Sequence, residues 1–437
     1  MRICILAAGA GGMICGSCLR DNALAGALIR QDHDVLLLPL YTPLKTDGPD
    51  LSHNQVFYGG VNAYLQYASR LFRWTPRFLD WLFDRRWLLR LAGKYGAQTS
   101  PAKLGPFALS VLEGEHGPQV KELRRLVGFL RDQVRPQVVS LPNAMFIGLA
   151  RMLRDELGAP VICELTGEDI FLDALAEPWR SRARDTIRAR TGDVSRFVAT
   201  SDYYATKMAE YLAVPREQIA VVHTGVAREV WNAPKSAAPT GHPTVAYFAR
   251  MCREKGLDRF VEAFALLRQM DGMHNVRAVA AGYLGQADSA FVDSVRQRIA
   301  DLGLGGALDL RGELSLSDKL SLLDSADVLC VPTAYPEPKG IYAYEALSRG
   351  LPLVKPRHGA FVELLGATGG GLLHEPGSAE DAANQLAILL RDAERRRALA
   401  DAGRAAVLRD FTDDRMAQKM LSIYQSAISP AASAALS

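Results

Sequence analysis

The sequence predicts an α/β fold built on two parallel sheets, and three observations carry that reading. Short apolar runs alternate with helical patterns from the N-terminus onward, an order that lays strands side by side in parallel with helices across them. A second series of the same kind begins near Thr244. Between the two lies 232–241, rich in Pro, Ala and small polar residues, which reads as a linker. A chain of 437 residues is long enough for two domains.

In the first series Ile3–Leu6, Val35–Leu38, Val138–Leu141, Val161–Glu164 and Phe197–Ala199 read as strands. Each is a mostly apolar run, as expected of strands covered on both faces. Helical spacing appears between them, at Leu19–Arg30 and Val120–Gln133. The second series supplies Val245–Phe248, Ala278–Ala281, Ala307–Leu310, Val328–Val331 and Pro352–Val354. The expected layout is a first domain over 1–231 with a helical insertion near 60–115, a second over 242–410, a helix over 411–429 and a tail over 430–437. The tail is rich in Ala and Ser, has little to bury and is expected to be disordered. No internal repeat is visible.

Composition narrows the class. With 49% hydrophobic and 23% charged residues the chain reads as an ordinary soluble globular protein. A net charge of +3 is too weak to imply nucleic acid. No apolar run is long enough to span a bilayer. The N-terminus runs straight into a Gly-rich turn, as a first strand does and a signal peptide does not. The expectation is a cytoplasmic enzyme. Cys4, Cys163 and Cys330 lie in strand-like runs and read as buried hydrophobes. Cys15-x-x-Cys18 admits redox or metal chemistry at a helix start. No second CxxC completes a zinc site, so tight packing is the expected role.

The chemistry concentrates in Glu337-Pro338-Lys339-Gly340-Ile341-Tyr342-Ala343-Tyr344-Glu345. This segment joins the apolar run ending at Thr333 to a helix read as beginning at Glu345. In an open parallel sheet ligands bind beyond the carboxyl ends of the strands. A helix N-terminus favours an anion, and a carboxylate accepts hydrogen bonds from hydroxyls. The segment therefore suits a ligand that is part phosphate and part polyol, such as a nucleotide sugar.

Glu-x7-Glu followed by Ala346-Leu347-Ser348-Arg349-Gly350-Leu351-Pro352-Leu353-Val354 resembles the signature of the retaining, GT-B-fold, family-4 glycosyltransferases (glycosyl transferases group 1). Tyr247-Phe248-Ala249-Arg250-Met251-Cys252-Arg253-Glu254-Lys255-Gly256 is similar to that family's Gly-Arg-Leu…Lys-Gly segment, with Ala249 replacing the glycine. The resemblance implies two Rossmann-like domains facing across a cleft, with a helix near Arg415–Ile428 crossing back to the first. It implies a nucleotide-diphosphate sugar as donor substrate, no cofactor, no metal, and transfer with retention by front-face attack. By the same match Arg250 and Lys255 grip the donor diphosphate, Glu337 binds the donor sugar and Glu345 the ribose. The N–H groups of Gly340 and Ile341 face the phosphates, and Gly12 faces donor and acceptor from the first domain.

Several positions depart from the pattern. Pro338-Lys339 replaces the usual Gly-Phe, removing one N–H and adding a cation. Thr166 stands where a donor-binding histidine often stands, while Gly167 and Asp169 fit. Thr224 replaces an asparagine in the turn Val222–Val226. Asp32-His33-Asp34 spells a metal motif of another glycosyltransferase fold but reads as a turn. The stretch from Tyr64 to Tyr95 is dense in Trp, Phe and Arg. It fits a helical insertion packed inward with Arg stems snorkelling, or a weak contact with an anionic membrane surface. The acceptor is not specified; a lipid-linked or surface glycan precursor fits. Two other readings stay open: a GT-B nucleotide-sugar epimerase, and a lapsed GT-B protein that binds a nucleotide sugar or a partner.

Overall fold

In a computed structural model of the protein, residues 1–9, 15–57, 104–235 and 241–429 are described. They form two compact units, one of residues up to His223 together with those from Met416 onward, the other Thr224–Arg415. Gly12, the Tyr64–Tyr95 stretch and the 430–437 tail lie outside the described residues.

The first unit carries a six-stranded parallel sheet. Its strands are β1 (Arg2–Ala7), β2 (Asp34–Pro39), β3 (Val138–Leu141), β4 (Val161–Leu165), β5 (Arg196–Ala199) and β6 (Ile219–Val221), in the order β2-β1-β3-β4-β5-β6. The second unit carries another, of β7 (Thr244–Phe248), β8 (Arg277–Ala281), β9 (Leu308–Leu310), β10 (Val328–Cys330), β11 (Leu353–Pro356) and β12 (Gly371–His374), ordered β12-β11-β10-β7-β8-β9. Both orders reverse direction within the sheet, at β1/β3 and at β7/β10, which is where such sheets open a crevice for a ligand. β3, β4 and β10 are buried at every residue. That explains why their sequences show no alternation: helices cover both faces. Each unit has its own apolar core, and Cys4, Cys163 and Cys330 are buried in these as expected.

Two strands escaped the sequence. β6 has only three residues, and β12 opens on Gly371 after two further glycines. Both are edge strands. β11 runs on through Lys355 and Pro356, beyond the expected end at Val354. The helix at Val120 ends as an α-helix at Phe129 and closes through a π turn, Leu130–Val134, at Arg135 with φ 54°. Asp32, at φ 60°, makes the turn between the Gly16–Arg30 helix and β2. Asp34 then pairs with Arg2 at 2.8 Å. The last helix runs Asp413–Ile428, and Tyr424 is fully buried in the first unit. Among the described residues no helix is long and apolar enough to cross a membrane.

Candidate active site

Three loops at the carboxyl ends of β7, β10 and β11 assemble in the second unit. The β7 loop carries Arg250, then a short turn Arg253–Lys255, then Gly256 ahead of the Leu257–Gln269 helix. Gly256 adopts φ 70°, and a Cβ there would lie 2.0 Å from the Pro332 carbonyl oxygen. The missing side chain lets the β7 loop lie directly against the segment after β10. Ala334 N–H donates to Glu254 O at 2.8 Å and closes the contact. From the other side Gly359, at φ 60°, brings the β11 loop within 2.6 Å of the Glu337 backbone, measured from where its Cβ would stand. Ala360 N–H donates to Glu337 O at 2.9 Å. Backbone packing on two sides thus fixes Glu337.

The Glu337 side chain is held as firmly. Lys255 Nζ donates to its Oε1 at 2.5 Å and to the Tyr335 hydroxyl at 3.0 Å. Tyr342 OH donates to its Oε2 at 2.8 Å. Behind Tyr342 stands Lys355, whose Nζ donates to the Tyr342 oxygen at 2.9 Å and to Val331 O at 2.7 Å. Burial pushes the Glu337 carboxyl up, but Lys255 and then Lys355 outweigh it, so the acid is held below its ordinary range. Burial lowers Lys255 too, yet Glu337 and Tyr335 hold its ammonium well above the usual lysine range. Both are therefore charged at neutral pH. Lys355 behaves differently: burial dominates and brings it down to about 7.

Glu345 does not begin its helix. The helix runs Ile341–Ser348 behind Gly340, which caps it at φ 63°. Glu345 is the fifth residue, past the first turn, where the macrodipole has little hold on it. What holds its carboxylate is Lys319, 2.9 Å from Oε1, with both side chains buried. Arg250 donates two hydrogen bonds to Asp288 Oδ2, at 3.1 and 2.7 Å, and stays half-exposed.

Arg250, Lys255, Glu337, Gly340, Ile341 and Glu345 thus all lie on the β7 and β10 loops and the helix that follows. Sequence reasoning passed over Lys319, Asp288, Tyr335, Tyr342 and Lys355. Lys319 was legible: Leu316, Lys319, Leu320 and Leu323 share one helical face, and a lysine on an apolar face needs a counter-charge. Lys355 stood in plain view at the end of an apolar strand. Asp288 had no such signal.

The first unit holds the Glu164–Asp169 segment at the end of β4. Thr166 and Gly167 donate their N–H groups to Glu168 Oε2 at 2.8 and 2.9 Å. Tyr204 OH donates to Asp169 Oδ1 at 2.7 Å, and Lys207 lies 2.5 Å from its Oδ2. Burial raises the Glu168 carboxyl despite these N–H donors. Cys15 and Cys18 lie within hydrogen-bonding contact, and that contact together with burial pushes the Cys18 thiol up, away from the reactive thiolate. No group of three or more metal-ligating side chains occurs among the described residues.

Residues 231–406 match the family model of the glycosyl transferases group 1, and residues 22–225 that of the glycosyl transferase 4-like domain. A D-inositol 3-phosphate glycosyltransferase of Corynebacterium aurimucosum is 29% identical over 193 residues, 44% of this chain and 45% of that one. The chain spans between 32% and 57% of the length of the curated relatives it matches. Anabaena HepE, solved in complex with UDP, superposes with a TM-score of 0.66 at 15% identity, covering 98% of this chain and 100% of that one. Sucrose-phosphate synthase of Thermosynechococcus elongatus gives 0.67 at 17% identity, covering 97% and 98%. These structures share the fold, which is GT-B, and the two models together cover most of the sequence. The chain belongs to the glycosyl transferases group 1 family.

Proposed function

We propose that the protein is a retaining glycosyltransferase that moves a sugar from a nucleotide-diphosphate sugar to an acceptor hydroxyl. The observation that carries this reading is the pair of carboxylates Glu337 and Glu345, each pinned by a lysine, beside Arg250 at the carboxyl ends of β7 and β10. Cleaving the anomeric bond puts negative charge on the leaving diphosphate, and fixed cations there stabilise it. Arg250 presents a planar fork for that charge, and Lys255 a compact one. The ammonium of Lys255 has three N–H groups, of which Tyr335 and Glu337 take two. The third serves a phosphate oxygen. Gly340 and Ile341 offer backbone N–H groups at the helix start, which has no intrahelical acceptors for them. Glu345 takes the ribose hydroxyls with its orientation set by Lys319, and Glu337 takes a hydroxyl of the donor sugar. No carboxylate of this set stands free as a nucleophile, which supports front-face attack with the donor phosphate accepting the acceptor's proton.

The test is a thermal-shift screen against UDP-, GDP- and ADP-sugars. A ligand at a hundred times its Kd adds about 2.7 kcal/mol to stability. Arg250→Ala and Lys255→Met should each remove the shift without unfolding the protein. Retention of the full shift in both variants would overturn the donor-site assignment. Transfer should survive EDTA, because Arg250 and Lys255 supply the charge a divalent ion supplies elsewhere. Loss in chelator, restored by Mg²⁺ or Mn²⁺, would contradict this. For the acceptor, the composition of the Tyr64–Tyr95 stretch suits an amphiphilic molecule at a membrane surface, as it also suits a helical insertion packed inward. Flotation with anionic vesicles at low salt should carry the protein upward. A protein left at the bottom of the gradient would argue for a water-soluble acceptor.

A further inference from the structure

We propose that Lys355 is a positioning residue: through Tyr342 it shares the charge of Glu337, and so sets how much of Lys255 is left for the donor diphosphate. The proposal rests on the donor-site reading of Glu337 and Lys255.

Lys355 touches no solvent. Its ammonium sits 3.9 Å from the centroid of the Phe361 ring and 4.6 Å from that of Tyr342. Its hydrogen bonds go to Val331 O and to the Tyr342 oxygen. Tyr342 OH donates in turn to Glu337 Oε2, and Lys255 occupies Oε1. The line Lys355, Tyr342, Glu337, Lys255 is thus continuous, with one carboxylate between two cations. A phenol that accepts from an ammonium donates more strongly in turn. When Lys355 is charged, Glu337 is balanced from both sides. When it is neutral the amine keeps two N–H donors, enough for Val331 and Tyr342, but the charge is gone. Glu337 then draws on Lys255 alone, and Lys255 has less to give a phosphate.

The surroundings make Lys355 the group that switches. Facing it are Glu337 from the β10 loop, Cys330 from β10, Tyr342 from the following helix, Lys255 from the β7 loop, His358 just after β11 and His374 from β12. Glu337 is held low, and Lys255 is held high. Burial pushes the Cys330 thiol up to about 12 and Tyr342 well above its ordinary value. Burial lowers His358, and brings His374 down to about 4. Lys355, at about 7, changes charge near neutral pH, while burial moves His358 away from that range.

The first arm of the test needs no ligand. Selective ¹³C labelling of glutamate carboxyls, with Glu337 assigned by its absence in Glu337→Gln, should show a step in the Glu337 resonance between about pH 6 and about pH 9. The step should vanish in Lys355→Met and shrink in Tyr342→Phe. A flat Glu337 resonance in the wild type, or a step that persists in Lys355→Met, overturns the proposal. Should Lys355→Met fail to fold, Tyr342→Phe carries the test, and an unchanged step there overturns it. The second arm measures binding of UDP-glucose, GDP-mannose and ADP-glucose, whose diphosphates do not titrate in this range. Affinity for whichever binds should fall about fivefold or more from the low to the high end. Lys355→Met should be flat at the weak level. If Lys255→Met binds as the wild type does, or if none of the three binds the wild type, the donor-site reading fails, whatever the resonance shows. If Lys255→Met loses binding while Lys355→Met keeps wild-type affinity and slope, only the positioning role fails.

Discussion

The pair Glu345–Lys319 shows what a single buried charge demands. Both side chains are nearly inaccessible, so each ion has given up water and depends on its partner. Glu345→Ala removes the counter-charge facing a buried ammonium and should cost about 3–5 kcal/mol in urea unfolding. Adding Lys319→Met should restore much of that stability but no donor binding, which separates the structural from the functional role. His374 gives a pH dependence of definite sign. Burial lowers its folded pKa to about 4 from 6.5. Between those values the unfolded chain binds more protons, so stability falls as pH drops from about 6.5 and stops falling from this source below about 4. His374→Leu should flatten that slope, read as the urea midpoint across the range. At this scale the sequence displayed Glu337, Glu345, Arg250 and Lys255 openly, because residue type and spacing carry their chemistry. It hid their partners. Asp288, 38 positions after Arg250, meets it only because the β8 loop folds beside the β7 loop.

At the scale of elements, loops are fixed by close backbone contacts that a side chain would prevent. Gly256→Ala places a Cβ against Pro332 O in a left-handed conformation. It should destabilise the protein by more than about 1 kcal/mol and weaken donor binding further, by moving Lys255 off Glu337. A variant with full affinity would show that the loop can be reseated at no cost. Arg349 works in the same way from the far end of the Ile341–Ser348 helix. It donates to the carbonyls of Val230, Ala233 and Pro234 and pairs with fully buried Asp324. Arg349→Met should cost about 3 kcal/mol and make the segment after Val230 exchange amide hydrogens faster. The strand pattern was legible because buried parallel strands are plain apolar runs. β6, an apolar run Ile219–Val221 as short as β9 and β10, was passed over, and β12 was not legible because its glycine start gives no pattern of its own. The start of the Ile341–Ser348 helix was misplaced because Gly340, with its left-handed φ, is the cap, and the apolar Ile341–Tyr344 carries no acidic first turn to announce a helix.

For the whole molecule, each of the two units has a separate core, and each should unfold as its own cooperative step. Calorimetry with a bound nucleotide sugar should shift the transition of the Thr224–Arg415 unit, which holds Arg250, Lys255, Glu337 and Glu345. A ligand that moved only the other transition would place the donor elsewhere. By itself the sequence determined the fold class, two parallel α/β sheets, because period and alternation are local properties of the chain. It also determined the family and the loops that carry the charged set, because Glu-x7-Glu and Arg-x4-Lys are written in consecutive residues. Only the tertiary structure decided what those charges meet: Lys319 against Glu345, Asp288 against Arg250, and Lys355 behind Tyr342. Those pairings join residues between 13 and 38 positions apart. They exist because strands distant in sequence become neighbours in one sheet, and burial there makes an unpaired charge too costly to keep.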